Sequence, residues 1–183
     1  MVAQMKRTWA EVDFVKLAHN YHALRGLAPA GTKYLGLVKA DAYGHGAVPV
    51  AKKLEELGAD YLGVACLDEA IEVREAGVKT PILILGCTSS IYAAELVKYN
   101  ITQACYDLEY AKELSAGAQK AGGTITVHIQ CDTGMTRLGF MCHEDTMEKS
   151  ASEIIEAVKL PGLKAEGIFT HFSDSDGSEE YTM

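Results

Sequence analysis

The sequence lacks an excess of positive charge: 17 lysines and arginines stand against 25 aspartates and glutamates in 183 residues, a net charge of −8. That balance argues against a protein that grips nucleic-acid phosphates regardless of sequence, because such binding rests on clustered cations. A C-x-x-C pair is also missing, and the cysteines are odd in number, Cys66, Cys87, Cys105, Cys131 and Cys142. Neither a disulfide framework nor a zinc knuckle is indicated, which points to reduced thiols in a cytoplasmic protein. No apolar run approaches the roughly 20 residues needed to span a bilayer. The opening MVAQMKRTWAEVDF has no apolar segment of signal-peptide length. The expectation is a cytoplasmic protein without membrane or nucleic-acid partners. What is present suits a folded domain: 48% apolar and 23% charged residues, too hydrophobic for a disordered chain. At this length one core suffices, burying about 70% of the unfolded chain's surface. No linker, charge block or low-complexity tract divides the chain.

Hydrophobic spacing predicts a helix from an N-cap at Asp13 through Phe14, Leu17, Ala18, Tyr21 and Leu24 to Gly26. An apolar run too short for a helix comes next, YLGLVKA (34–40). A glycine-bearing turn then leads to a second helical stripe of Ala47, Val50, Ala51 and Leu54 that ends near Gly58. The alternation repeats. Strand-like YLGVACL (61–67) precedes a helix opening at Asp68, and PILILG (81–86) precedes one opening near Ser89 or Ser90. ITQACYD (101–107) precedes a helix over 108–121, TITVHIQCD (124–132) one over 145–158, and LKAEGIFTHF (163–172) closes the series. These six runs carry no hairpin signal between them. The end, FSDSDGSEEYTM, reads as polar loop, with Asp174, Asp176, Glu179 and Glu180 solvated rather than metal-binding.

Apolar strands alternating with amphipathic helices imply a parallel sheet covered by helices, either doubly wound or a (β/α)8 barrel. No G-x-G-x-x-G follows the first strand, which favours the barrel. A complete one takes eight strands and about 250 residues. The expected fold is therefore α/β, a parallel TIM-type barrel that is incomplete.

In such folds chemistry gathers at the carboxyl ends of the strands. The first strand ends in Lys39, Tyr43 and the pair Gly44 and Gly46 around His45, and the third in Leu85. The fifth ends in Gln130 and the run Asp132 to Arg137, the sixth in His171. A lysine, a tyrosine, an arginine and a histidine thus converge on one face. Lys39 either has its amine neutralised by burial, as a Schiff base needs, or snorkels out of the strand end. The two glycines suit a backbone approach to phosphate and equally any tight turn. Arg137 either grips a carboxylate in bidentate fashion or pairs with a neighbouring acid. His171 reads first as a satisfied core histidine and otherwise as a ring stacked on a cofactor. Gln130 reads as an amide bonded within the barrel. There is no G-x-S-x-G elbow, and the cysteines lack a His–Asn pattern beyond Cys142-His143, so nucleophilic acyl transfer is unsupported.

The run Val38-Lys39-Ala40-Asp41-Ala42-Tyr43-Gly44-His45-Gly46 resembles the pyridoxal-phosphate attachment signature of the alanine racemases. TWAEVD (8–13), HN (19–20), DEAIEVREAG (68–77), DTGMTRLGF (132–140) and GIFTHF (167–172) agree with that family in order and spacing. The resemblance implies that residues 1–183 are the N-terminal portion of the family's cofactor-binding barrel, without its C-terminal β-domain. It implies pyridoxal 5'-phosphate held by Lys39 as an internal aldimine, in an enzyme interconverting L- and D-alanine for peptidoglycan. Lys39 is then one of two acid–base groups, and Tyr43 bonds the cofactor phosphate. Leu37 and Leu85 line the cofactor ring, His171 stacks on it, and Arg137 serves the phenolic oxygen and the substrate carboxylate. No metal is implied, and the complete protein is expected to be a homodimer. Gln130 stands where many members carry a carbamylated lysine. The second base belongs to the part beyond Met183, so little turnover is expected of this chain alone. The rival readings are a racemase for another amino acid, such as serine or lysine, and a non-catalytic barrel that binds or carries the cofactor.

Overall fold

A computed structural model of the chain describes residues 8–182; the targeting expectation for residues 1–7 lies outside them. The elements in order are α1 (Phe14–Arg25), β1 (Leu35–Leu37), α2 (Lys39–Gly44), α3 (Ala47–Glu56), β2 (Tyr61–Val64), α4 (Leu67–Glu75) and β3 (Ile82–Ile84). A 3-10 turn (Ser90–Tyr92) leads into α5 (Ala93–Lys98), then β4 (Thr102–Cys105), α6 (Leu108–Lys120), β5 (Ile125–Asp132) and β6 (Phe140–Met141). The last are α7 (Met147–Ala157), β7 (Leu163–Thr170) and α8 (Glu179–Thr182).

Every strand pairing is parallel, in the order β1-β2-β3-β4-β5-β6 with β7 also on β5. Among the described residues β1 and β7 do not pair, so the sheet is an unclosed arc of a TIM-type barrel. Its helix-facing side is the core. Leu62, Val64, Ile82 and Ile84 are buried together with Ala70, Val73, Leu96 and Leu114 of the helices. Each large apolar side chain so buried contributes about 1.5–3 kcal/mol. The other side carries polar contacts: Tyr61 Oη lies 3.0 Å from Thr102 Oγ1, and the Tyr61 and His128 rings are 5.3 Å apart.

Two features fix the frame. The Arg74 guanidinium, at the end of α4, donates to the carbonyls of Val78 (2.7 Å), Thr80 (3.1 Å), Tyr99 (3.1 Å) and Asn100 (3.2 Å). One side chain thereby ties the entrances of β3 and β4 together. In β7 the pairing steps from Val127–Ala165 to His128–Gly167, leaving Glu166 as an extra residue, a β-bulge.

The helix expected from Asp13 is present, with Asp13 Oδ1 accepting the amides of Val15 (2.9 Å) and Lys16 (3.1 Å). Leu24, assigned to its apolar stripe, is 54% exposed. Four other expectations are corrected. The first strand is only Leu35–Leu37, and Lys39 opens a turn instead of closing the strand. Among the described residues there are seven strands rather than six, because the two-residue β6 follows a loop and pairs beside the end of β5. The polar end contains α8. The fourth helix opens at Leu67, one residue early, after an N-cap at Cys66. No described helix is long and apolar enough to cross a membrane.

Candidate functional site

The local structure after β1 is unusual. Ala40, Asp41, Ala42 and Tyr43 have φ of 51°, 54°, 51° and 54°, so α2 is one left-handed turn built from residues with side chains. Left-handed backbone costs about 1–2 kcal/mol per such residue, and the turn persists because its surroundings hold it. Ala42 N–H donates to Val38 O (2.9 Å) and Gly46 N–H to Asp41 O (2.9 Å). Asp41 Oδ1 accepts the Ala47 amide (2.7 Å), and Glu69 Oε1 accepts the Ala40 amide (2.8 Å). The chain leaves the turn through Gly44 (φ 86°) and Gly46 (φ 90°), conformations that glycine adopts freely, and α3 begins at once.

Lys39, at the head of this turn, lines a cavity of about 150 Å³ with Ala65, Leu85, Gly86, Gln130, Arg137 and Leu138. The ends of β1, β2, β3 and β5 thus meet. Beneath them a Cβ at Gly63 would lie 2.6 Å from Leu37 Cδ2 and 3.4 Å from Leu85 Cδ1, so a bare glycine lets the two leucines close over β2.

Arg137 is delivered by a loop folded around one carboxylate. Asp132, 6% exposed, accepts the amides of Thr136 (2.9 Å) and Gly134 (3.0 Å) through Oδ1, with His143 Nε2 at 3.9 Å. Burial opposes its ionisation, but the Thr136 and Gly134 amides and His143 prevail and hold the carboxyl below its ordinary value. Among the described residues Arg137 pairs with no carboxylate, so the ion pair weighed for it from the sequence is not formed.

Of the residues singled out in the sequence, Lys39, Leu85, Gln130 and Arg137 share the cavity, while Leu37 does not line it and lies over Gly63. Tyr43 stands beside it, 63% exposed. His171 lies just past β7 and is exposed, which corrects its reading as a core histidine. The Gln130 amide, read as bonded within the barrel, leaves Oε1 buried with no partner among the described residues. Sequence reasoning passed over Glu69 and gave Asp132, placed at a strand end, no role of its own. The detectable signal for Glu69 was a glutamate at the third helical position, from which a side chain reaches back over the helix start.

An amine, a guanidinium and an orphaned amide oxygen line this cavity, with no carboxylate and with apolar walls. In a chain of net charge −8, the amine and the guanidinium fit an anionic ligand bearing a carbonyl, and pyridoxal 5'-phosphate has this chemistry.

Comparison with known proteins identifies the family. A sequence profile for "Alanine racemase, N-terminal domain" matches residues 12–183. The alanine racemase of Clostridium perfringens strain SM101 is 43% identical over 176 residues, 96% of this chain and 44% of the relative. The solved alanine racemase of Clostridium difficile 630 superposes with a TM-score of 0.91 at 43% identity, covering 97% of this chain and 46% of that one. Its complex with cycloserine superposes equally well, at 0.91 and 43% identity over 97% of this chain and 48% of that one. The chain spans less than half the length of the relatives it matches. With this profile, these identities and this fold, the chain belongs to the alanine racemase family.

Proposed function

We propose that this chain is the cofactor-bearing part of a pyridoxal 5'-phosphate-dependent alanine racemase, whose complete homodimeric form interconverts L- and D-alanine in the cytoplasm. The observation that carries the reading is the convergence of Lys39 and Arg137 on one cavity with the unpartnered Gln130 Oε1. Lys39, Tyr43, Arg137, Leu37, Leu85 and, from the end of β7, His171 would hold the cofactor. When bound, pyridoxal phosphate supplies the electron sink that makes the substrate Cα–H acidic.

The chain's own residues divide the remaining work. Lys39 Nζ moves a proton at the Cα of the amino acid, on the face from which the left-handed turn presents it. The Arg137 guanidinium, free of any described carboxylate, orients the substrate carboxylate. Leu85 and Leu138 supply apolar wall to the cavity beside these two groups. Among the residues lining this cavity Lys39 is the only amine, so it serves one face of Cα, and racemisation requires a second group on the other. The five free cysteines support the cytoplasmic placement.

The test is to incubate the chain with pyridoxal phosphate, reduce with borohydride, and map the modified peptide by mass spectrometry. Preferential label on Lys39 supports the reading. Label spread evenly over surface lysines such as Lys53 and Lys120 overturns it.

A further inference from the structure

The Glu69 carboxylate lies outside the cavity but is bonded to Ala65 of its lining and to Ala40, the residue next to Lys39. From the third position of α4 it reaches backward, and its two oxygens part company. Oε2 accepts the amide of Ala65 at 2.7 Å, and Oε1 accepts the amide of Ala40 at 2.8 Å. Ala65 lines the Lys39 cavity. The Ala40 N–H belongs to the peptide bond that leaves Lys39 itself. One carboxylate therefore spans the ends of β1 and β2, on the two sides from which the amine is presented.

Ala40 is the first of the four left-handed residues, so the plane of the Lys39–Ala40 peptide sets both the start of that run and the direction of the lysine side chain. Were the Ala40 amide released, the run could relax toward the preferred right-handed region. The peptide plane would then turn, carrying Nζ with it. A carboxylate suits the task because both of its oxygens only accept. A glutamine would offer one oxygen and set its NH2 against a backbone N–H.

Resting on the reading of Lys39 as the cofactor's amine, we propose that Glu69 is a positioning residue, whose clamp on the Ala40 and Ala65 amides aims the Lys39 amine into the cavity. It touches neither cofactor nor substrate and acts through the backbone. Loss of that aim slows the labelling of Lys39.

The experiment compares wild type with Glu69→Gln, using pyridoxal phosphate and borohydride across a range of pH. Lys39 label is measured relative to Lys53 in the same molecules, well below each protein's melting temperature. The expected result is a fall in the Lys39-to-Lys53 ratio of about tenfold or more at every pH, since small misplacements of a reacting group cost one to two orders of magnitude. A folded variant with the wild-type ratio, or with faster Lys39 labelling, overturns the proposal. Hydrogen exchange of the wild-type protein gives a check that needs no variant: the Ala40 and Ala65 amides should exchange as slowly as amides within β2. Fast exchange at either one overturns the clamp. Wild type without preferential Lys39 label overturns the cofactor reading instead, and the exchange rates still decide the clamp.

Discussion

Lys39 Nζ lies 6.0 Å from the centre of the Tyr43 ring, four residues further along the same left-handed turn. That is the outer limit of cation–π attraction, worth about 0.5 kcal/mol at an exposed site. The ring therefore contributes little to holding the amine.

Tyr43→Phe keeps the ring and removes only the hydroxyl. If it bonds the cofactor phosphate, a hydrogen bond to a charged group worth about 1.5–3 kcal/mol is lost, and pyridoxal phosphate should bind roughly ten- to a hundredfold more weakly. Absorbance titration with the cofactor measures this. An unchanged Kd would remove Tyr43 from the phosphate site.

The left-handed turn makes a second expectation unusually direct. Ala40 is exposed at φ 51°, so Ala40→Gly relieves about 1–2 kcal/mol of backbone cost against about 0.5–1 kcal/mol of added chain entropy. The net gain of several tenths to 1 kcal/mol should raise the melting temperature by about 1–4 °C for a chain of this size. A lower Tm would mean that Ala40 carries no strain.

Asp132 gives the site loop a dependence on acid. Its carboxyl is held below the ordinary value, burial being outweighed by the Thr136 and Gly134 amides and by His143. The stability it contributes is therefore fully present above the unfolded value, about pH 4, and is lost as pH falls through the lower folded value. Asp132→Asn should cost about 1–2 kcal/mol at pH 7, the charged share of two hydrogen bonds. The gap should close in strong acid. Urea unfolding at several pH values decides it, and a gap independent of pH would exclude the carboxylate's charge as the cause.

Arg74 should separate the frame from the site. Its guanidinium serves four carbonyls from a fixed fork, a geometry that a lysine ammonium cannot match. Arg74→Lys should lower stability by about 1–3 kcal/mol through unsatisfied carbonyls, seen as a lower urea midpoint. Lys39 labelling below the transition should be unchanged. A midpoint equal to that of wild type would show that the lysine serves the same partners.

The architecture was legible where a residue's chemistry acts on its own neighbours. Asp13 capped the helix it was expected to cap, and the apolar runs over 61–67, 81–86 and 101–107 contained β2, β3 and β4. The meeting of Lys39, Leu85, Gln130 and Arg137 followed from strand ends sharing one side of a parallel sheet. What was hidden depends on distant partners. Ala-Asp-Ala-Tyr has no local signature of a left-handed turn, and one of the bonds that hold it there comes from Glu69, 29 residues from Ala40. Phe140–Met141 is too short to show alternation and becomes a strand only because Cys131 and Asp132 lie beside it. His171 sits next to Phe172 in sequence, yet both are exposed, because apolar neighbours along a chain need not share a buried face.

The bulge in β7 works as a phase shift. Before Glu166 the strand pairs Ala165 with Val127, and after it Gly167 meets His128 and Phe169 meets Gln130. One surplus residue has turned the remainder of the strand over by half a period. Phe169 thereby shares the side of the cavity residue Gln130, while Ile168 stays 66% exposed on the other. Without the bulge Glu166 would stand opposite His128 and Ile168 opposite Gln130, so the side chain presented beside Gln130 is chosen by a count of backbone residues rather than by the identity of any side chain.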